Sequence, residues 1–244
     1  MRRAGGLSLL RLDVVSNTSL PQGAEKTFRV RAMFDAIAPR YEFVNHLMTF
    51  GLDRRWRRRA VRDLRLPTAS QILDVASGTG DFSREAFEQG FLATSTDLSF
   101  GMLDASKDLH AKVQADASQL PFRTGSFDGV TCGYALRNFT DLQATFDEMA
   151  RVLRPGGRIS VLEVAEPRSG IWRWGFRLWF RRIVPFIGGA LSDRAAYQYL
   201  PQSTAYLPAS ATLRSMLNTA GFTSVNHRLV LGGLSQQFLA TKVL

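Results

Sequence analysis

From residue 70 onward, short apolar runs suited to buried strands alternate with amphipathic stretches suited to helices. That order predicts a parallel sheet with helices on both faces. Gln71–Ala76 reads as a buried strand, and a Gly-containing turn at Ser77–Gly80 leads into a helix through about Gln89, closed by Gly90. Phe91–Asp97 is the second strand, and Ser99 caps a helix running to about His110. Lys112–Asp116 gives a short third strand, and Phe127–Tyr134 a fourth behind a Thr-Gly-Ser turn. After Asp141, Leu142, Phe146, Met149 and Leu153 recur at helical spacing, until Pro155-Gly156-Gly157 stops the helix. Arg158–Val164 is a fifth strand. Beyond a long insertion, Leu213–Ala220 is a helix ended by Gly221. Thr223–Val230 and Ser235–Val243 pair as a hairpin across Leu231–Leu234. The expected organisation is a tail at 1–22 and a single α/β domain at 23–244. A helical cap occupies 23–66 and a helical insertion 165–212.

Composition narrows this picture. The chain has 244 residues, 45% hydrophobic and 21% charged, which suits one ordinary folded core and excludes low-complexity disorder. The single Cys132 excludes an internal disulfide and any cysteine-based metal site. His46, His110 and His227 lie far apart in sequence, so no metal cluster is readable. No uncharged apolar run reaches the length of about 18 residues that a lone membrane-spanning helix requires. Arg2, Arg3 and Arg11 with Ser8, Ser16 and Ser19 give residues 1–22 a weak likeness to an organellar targeting segment; a plain tail ending near Pro21 is the favoured alternative.

The formal charge of +10 by itself suggests a polyanionic partner. Its distribution is uneven. Residues 66–170 carry −5, whereas 53–65 carries +5 and 171–182 carries +4. A body that binds nucleic acid along a groove would spread its basic residues over that body. The expectation is therefore no nucleic-acid partner.

The first strand carries Asp74 and runs into Ser77-Gly78-Thr79-Gly80 before a helix, at the strand end where open α/β sheets bind cofactors. Position 83, where a dinucleotide fingerprint has its third glycine, is Ser83, which weakens an NAD reading. Asp74, Asp97 and Asp116 end three successive strands. Such carboxylates suit a cofactor with hydroxyls, an amino group and a positive charge, and suit a diphosphate poorly. Any one of them alone reads as a turn or capping residue. Three together favour the cofactor.

These residues resemble class I S-adenosylmethionine-dependent methyltransferases, and within them the quinone-ring C-methyltransferase family of ubiquinone and menaquinone biosynthesis. The resemblance covers roughly residues 28–242. It rests on Phe34–Tyr41 with Asn45 and Trp56-Arg57, the Gly78–Asp81 turn, Asp97 with Met102-Leu103, and Ala115–Ala117 with Leu120–Phe122. It continues through Leu136-Arg137-Asn138, Glu148-Met149, Arg151–Gly157, Glu163, Tyr197, Tyr199-Leu200 and Ser203. It implies a Rossmann-like, doubly wound, mostly parallel seven-stranded sheet with a C-terminal antiparallel hairpin, and an insertion lying over the substrate site. It also implies S-adenosylmethionine contacted by Thr79, Asp97, Asp116 and Ala117, with Asp97 on the ribose and Asp116 near the adenine amino group; Asp74, Gly78 and Gly80 of the glycine turn join them as expected cofactor-binding residues. Arg137 and Asn138 match the substrate face. Three departures stand out: Ser77 where the family usually has glycine, Gly133 where it usually has serine, and Gly232–Phe238 with no histidine where a His-ending segment is usual.

The expected reaction is C-methylation of a polyprenyl hydroquinone, demethylmenaquinol in the favoured reading and a polyprenyl-methoxy-benzoquinol in the near alternative. A non-catalytic subunit of a quinone-synthesis assembly and an RNA methyltransferase are the rivals. Arg137, permanently charged, is cast as stabiliser of the ring phenolate. Asn138 orients the ring or a water, and Tyr41 closes the site. The bland counterparts are a surface salt bridge for Arg137 and plain packing for Tyr41.

In residues 171–184, Trp172, Phe176, Trp179 and Ile183 share one helical stripe and Arg173, Arg177 and Arg181 another arc, as in a helix lying in a lipid interface. That segment is expected to dock on an anionic membrane surface, the rival being packing over the active site or on a second copy in a homodimer. In 53–65, Leu52, Trp56, Ala60 and Leu64 are expected to face the core, with the arginines on a solvated or lipid-facing arc. The implied location is cytoplasmic, at the inner face of the membrane.

Overall fold

The computed structural model describes residues 21–49, 51–107, 110–165, 199 and 202–244. The tail at 1–20 and the amphipathic 171–184 segment lie outside the described residues, as does most of the 165–212 insertion. Two helices, α1 (Gly23–Thr49) and α2 (Leu52–Arg62), precede the sheet. Then follow β1 (Gln71–Val75), α3 (Asp81–Glu88), β2 (Leu92–Asp97), α4 (Phe100–Ala105), β3 (Ala111–Gln114) and β4 (Phe127–Gly133). After a short 3-10 turn at Leu136–Asn138 come α5 (Leu142–Val152) and β5 (Leu153–Val164). The chain ends with α6 (Ser210–Thr219), β6 (Phe222–Val230) and β7 (Ser235–Lys242).

The sheet has seven strands in the order β3-β2-β1-β4-β5-β7-β6, with β7 antiparallel to both neighbours. This is the doubly wound sheet and C-terminal hairpin expected from the alternation of patterns. Ala60 and Val61 of α2, with Leu64 just beyond its end, pack with Phe82 and Ala86 of α3 against Ile72 on one face. Phe146 and Met149 of α5 pack with Leu213 and Leu217 of α6 against Leu73, Val75 and Val130 on the other. The strand order reverses between β1 and β4, so their carboxyl ends open the crevice in which this architecture binds ligands.

Three boundaries differ from expectation. The helix capped by Ser99 ends at Ala105, well before His110, and β3 ends at Gln114, two residues short of Asp116. The α5 helix ends at Val152, and Leu153 already pairs with Phe127. Pro155–Gly157 then forms an irregularity within β5, the pairing jumping from Phe127–Leu153 to Gly129–Arg158. A Cβ at Gly157 would lie 2.8 Å from the Arg154 carbonyl oxygen, so the bend needs glycine. The face of α2 also differs. Leu52 and Trp56 are only half-buried, while Asp53 and Arg57 are buried with Ala60, Val61 and Leu64.

Candidate active site

The turn after β1 is built on left-handed backbone: Ala76, Gly78 and Gly80 have φ of 53°, 55° and 88°. Glycine adopts such φ at little cost, so the chain reverses tightly and starts α3 at Asp81. The turn is tied to the end of β2. Asp97 accepts hydrogen bonds from the backbone N–H of Gly78 (2.8 Å) and of Ser99 (2.8 Å). Burial pushes its pKa up to about 6, against the downward pull of those N–H groups.

The α1 helix lies across this turn as a lid. Asp35 accepts from Ser99 Oγ (2.5 Å) and from the Gly101 N–H (2.9 Å), pinning α1 to the start of α4. The Phe34 and Tyr41 rings meet edge to face with centroids 5.9 Å apart. Lys26 fixes the other end, donating to the Phe139 carbonyl (2.7 Å) and sitting 3.9 Å from the centroid of the Tyr206 ring.

Between lid and turn lies a cavity of about 280 Å³. Gly78, Asp97, Asp116, Ala117, Tyr41 and Asn138 line it; Asp74, Thr79, Gly80 and Arg137 do not. Asp74 stands buried behind the turn, accepting from Ser83 N–H (3.1 Å), Ser83 Oγ (2.9 Å) and Thr131 Oγ1 (3.0 Å). Burial pushes its pKa up to about 7. Asp116 is exposed, accepting from both the N–H and Oγ of Ser118 at 2.8 Å.

Sequence reasoning missed Thr96, which lines the cavity, and gave Asp35 no role. Both lie in or beside quoted motifs, but only the fold shows Thr96 facing inward and Asp35 reaching α4. The Oγ atoms of Ser77, Thr79 and Thr96 are buried without hydrogen-bond partners among the described residues. Of these, Thr96 lines the cavity, where a polar ligand would complete its bonding. S-adenosylmethionine, with its α-amino and carboxylate groups, ribose hydroxyls and adenine, fits the donor set of the glycine turn and the acceptors of Asp97 and Asp116.

The histidines, scattered in sequence, include one that the fold brings to carboxylates: ligand atoms of Glu42, His46 and Asp81 lie within 4.8 Å of one another. Arginines already serve these carboxylates. Arg84 bonds Glu42 (3.0 Å) and Asp81 (3.4 Å), and Arg57 reaches Asp81 at 3.3 Å.

The sequence model of the ubiE/COQ5 methyltransferase family matches residues 22–242. The chain belongs to this family. It is 42% identical over 224 residues to the demethylmenaquinone methyltransferase of Roseiflexus sp. strain RS-1, covering 88% of this chain and 94% of that protein. It is also 42% identical to that of Thermus thermophilus, covering 83% and 96%. A ubiquinone/menaquinone biosynthesis C-methyltransferase of Geobacter sulfurreducens is 38% identical over 84% of each chain. Among solved structures, the [4+2]-cyclase SpnF aligns with a TM-score of 0.66 at 15% identity, over 93% of this chain and all of that one. A methyltransferase of Thermotoga maritima aligns with a TM-score of 0.63 at 17% identity, over 87% and 99%. At such identity these two speak for the fold alone.

Within the family frame, Gly133 has a local reason: a Cβ there would lie 2.5 Å from the Phe82 ring, which fills the space. Arg137, expected at the substrate face, is 5% exposed and is no surface salt bridge. Its NH1 pairs with the fully buried Glu163 and donates to the Tyr134 carbonyl (2.8 Å); its Nε donates to Ser203 Oγ (3.1 Å). Its NH2 has no hydrogen-bond partner among the described residues. Asn138, next along the 3-10 turn, accepts from Tyr199 OH at 3.4 Å and reaches the cavity.

Proposed function

We propose that this protein transfers a methyl group from S-adenosylmethionine to a ring carbon of a polyprenyl hydroquinone, with demethylmenaquinol as the acceptor. The observation that carries the reading is 42% identity to two demethylmenaquinone methyltransferases over 94% and 96% of their lengths. When bound, the cofactor supplies a sulfonium methyl that needs no further activation. The protein's work is to hold, align and keep dry. Gly78, Asp97, Asp116 and Ala117 hold the cofactor, with Asp74, Thr79 and Gly80 shaping the turn from behind.

On the acceptor side, ionising a ring hydroxyl, whose phenolic pKa is about 10, drives electron density onto the reacting carbon. A nearby cation favours that ionisation. Arg137 is permanently charged, so it stabilises the phenolate rather than removing its proton. Asn138 orients the ring, and Tyr41 closes the cavity with the rest of α1. A second acceptor, the methoxy-benzoquinol of ubiquinone synthesis, is favoured by relatives named for both pathways. Purified protein incubated with methyl-labelled S-adenosylmethionine and each hydroquinone distinguishes them. Label in the naphthoquinol product supports the favoured acceptor, label only in the benzoquinol supports the second, and label in neither rejects the reaction.

Docking of residues 171–184 on an anionic membrane at the cytoplasmic face belongs to the same proposal, because the acceptor's tail resides in lipid. Among the described residues no helix is long and apolar enough to cross a membrane. Flotation of the protein with anionic vesicles but not neutral ones is the expected result, and flotation with neither removes the docking.

A further inference from the structure

We infer that Tyr199 and Ser203 are positioning residues for Arg137 and Asn138, so that the chain leaving the 165–212 insertion sets the geometry of the acceptor side of the site. The inference rests on the function proposed above for that pair.

Arg137 and Asn138 sit on a single 3-10 turn that follows β4, a support too short to fix both side chains by itself. Their order comes from elsewhere. The Arg137 guanidinium is gripped by three acceptors on three segments: Glu163 at the end of β5, the Tyr134 carbonyl after β4, and Ser203 Oγ. A planar fork held on Nε and NH1 has its plane fixed, and its NH2 edge is thereby aimed. Without Ser203 the guanidinium is held through NH1 alone, by Glu163 and the Tyr134 carbonyl, and can turn about that nitrogen. Ser203 is itself fully buried, so its bond to Nε faces no competition from water.

Asn138 is set in a parallel way. Tyr199 OH donates to Oδ1, which leaves the Nδ2 donors as the atoms available to the cavity that Asn138 lines. A donor there suits an oxygen gaining negative charge. Burial pushes the Tyr199 hydroxyl up to about 12, so it remains a donor throughout the working pH range. Packing alone does not explain two hydroxyls from residues 199–203 reaching two adjacent site side chains.

The experiment compares the full chain with Ser203→Ala, Ser203→Thr and Tyr199→Phe. A hydrogen bond to a charged group corresponds to a loss of about tenfold in kcat for Ser203→Ala, and the longer neutral bond to about threefold for Tyr199→Phe. Cofactor Kd should stay unchanged, and Ser203→Thr should recover most of the rate. In an Arg137→Lys background, whose ammonium lacks the fork, Ser203→Ala should have no further effect. Unchanged kcat, a matching loss of cofactor affinity, or additive losses in that background overturn the inference. A readout independent of turnover is solvent exchange of the Arg137 Nε–H in nitrogen-15 spectra, assigned by its loss in Arg137→Lys. Slow exchange in the wild type and fast exchange in Ser203→Ala is expected; equally fast exchange in both overturns the anchor. A wild type that protects this proton yet methylates no hydroquinone overturns the reaction, so the two failures are separable.

Discussion

The Tyr41 ring lies over Gly78: a Cβ at residue 78 would come 3.8 Å from Tyr41 Cε1. The lid helix and the cofactor turn therefore meet through one aromatic ring and one bare backbone. Truncation to Tyr41→Ala should weaken S-adenosylmethionine binding by about tenfold, in line with the loss of a buried aromatic contact. Gly78→Ala acts from the other side. At φ 55° it forces an L side chain into left-handed backbone at a cost of about 1–2 kcal/mol and points the methyl at the lid. Titration calorimetry should find both variants weaker, and thermal melting should find only Gly78→Ala clearly less stable.

Asp97 makes binding and stability respond to pH in opposite directions. Its folded pKa of about 6 lies above its ordinary 3.8, so its contribution to folding is fully present below 3.8 and is lost as pH rises through about 6. A ribose hydroxyl donates to the ionised carboxylate, so cofactor affinity should instead rise with pH through about 6 and level off above it. Calorimetry at pH 5, 6, 7 and 8 checks this. Asp97→Asn should bind weakly at every pH and show no rise, and an unaltered rise would reassign the titration to another group.

Arg57 is the clearest case of a charge that composition misplaces. Burial works against its charge, but the facing Asp81 and Asp53 carboxylates overcome this and raise its pKa. Its guanidinium also sits 5.5 Å from the centroid of the Tyr134 ring, which lines the cavity. Arg57→Ala leaves the buried Asp53 with Thr49 and His46 and leaves Asp81 with Arg84, each short of its strongest cation, and should cost about 3–5 kcal/mol in urea unfolding. Its exposed neighbour Arg55→Ala should stay within about 0.5 kcal/mol.

That contrast shows where the sequence was legible. Strands and helices from Gln71 to Lys242 could be read because alternation of period and glycine punctuation act locally. Gly78 and Asp97 could be placed at a cavity because strand ends are recognisable one at a time, and Asn138 because the family resemblance carried it there. Arg57, Glu163 and Asp35 could not be placed in the same way. Their partners lie 24, 26 and 64 residues away at Asp81, Arg137 and Ser99, and no local pattern encodes such a meeting. A run of arginines reads as a solvated arc until the fold turns one of them inward.

Gly133 and Phe82 share one volume, and this pairing makes a family departure testable. The Phe82 ring is 2% exposed and occupies the space into which a side chain at residue 133 would project, 2.5 Å from its Cε2. Adding even a methyl group there overpacks the junction of α3 and β4, so Gly133→Ser should destabilise the protein by about 1–3 kcal/mol. Shrinking the partner should relieve this. Phe82→Leu alone leaves a void and costs stability, yet in the double variant the serine fills part of that void, so the combined loss should be smaller than the two single losses added together. A double-mutant cycle in urea measures the difference, and an interaction energy of at least about 0.5 kcal/mol is expected for residues in contact. Additive losses would mean that the absent side chain at 133 is not set by Phe82.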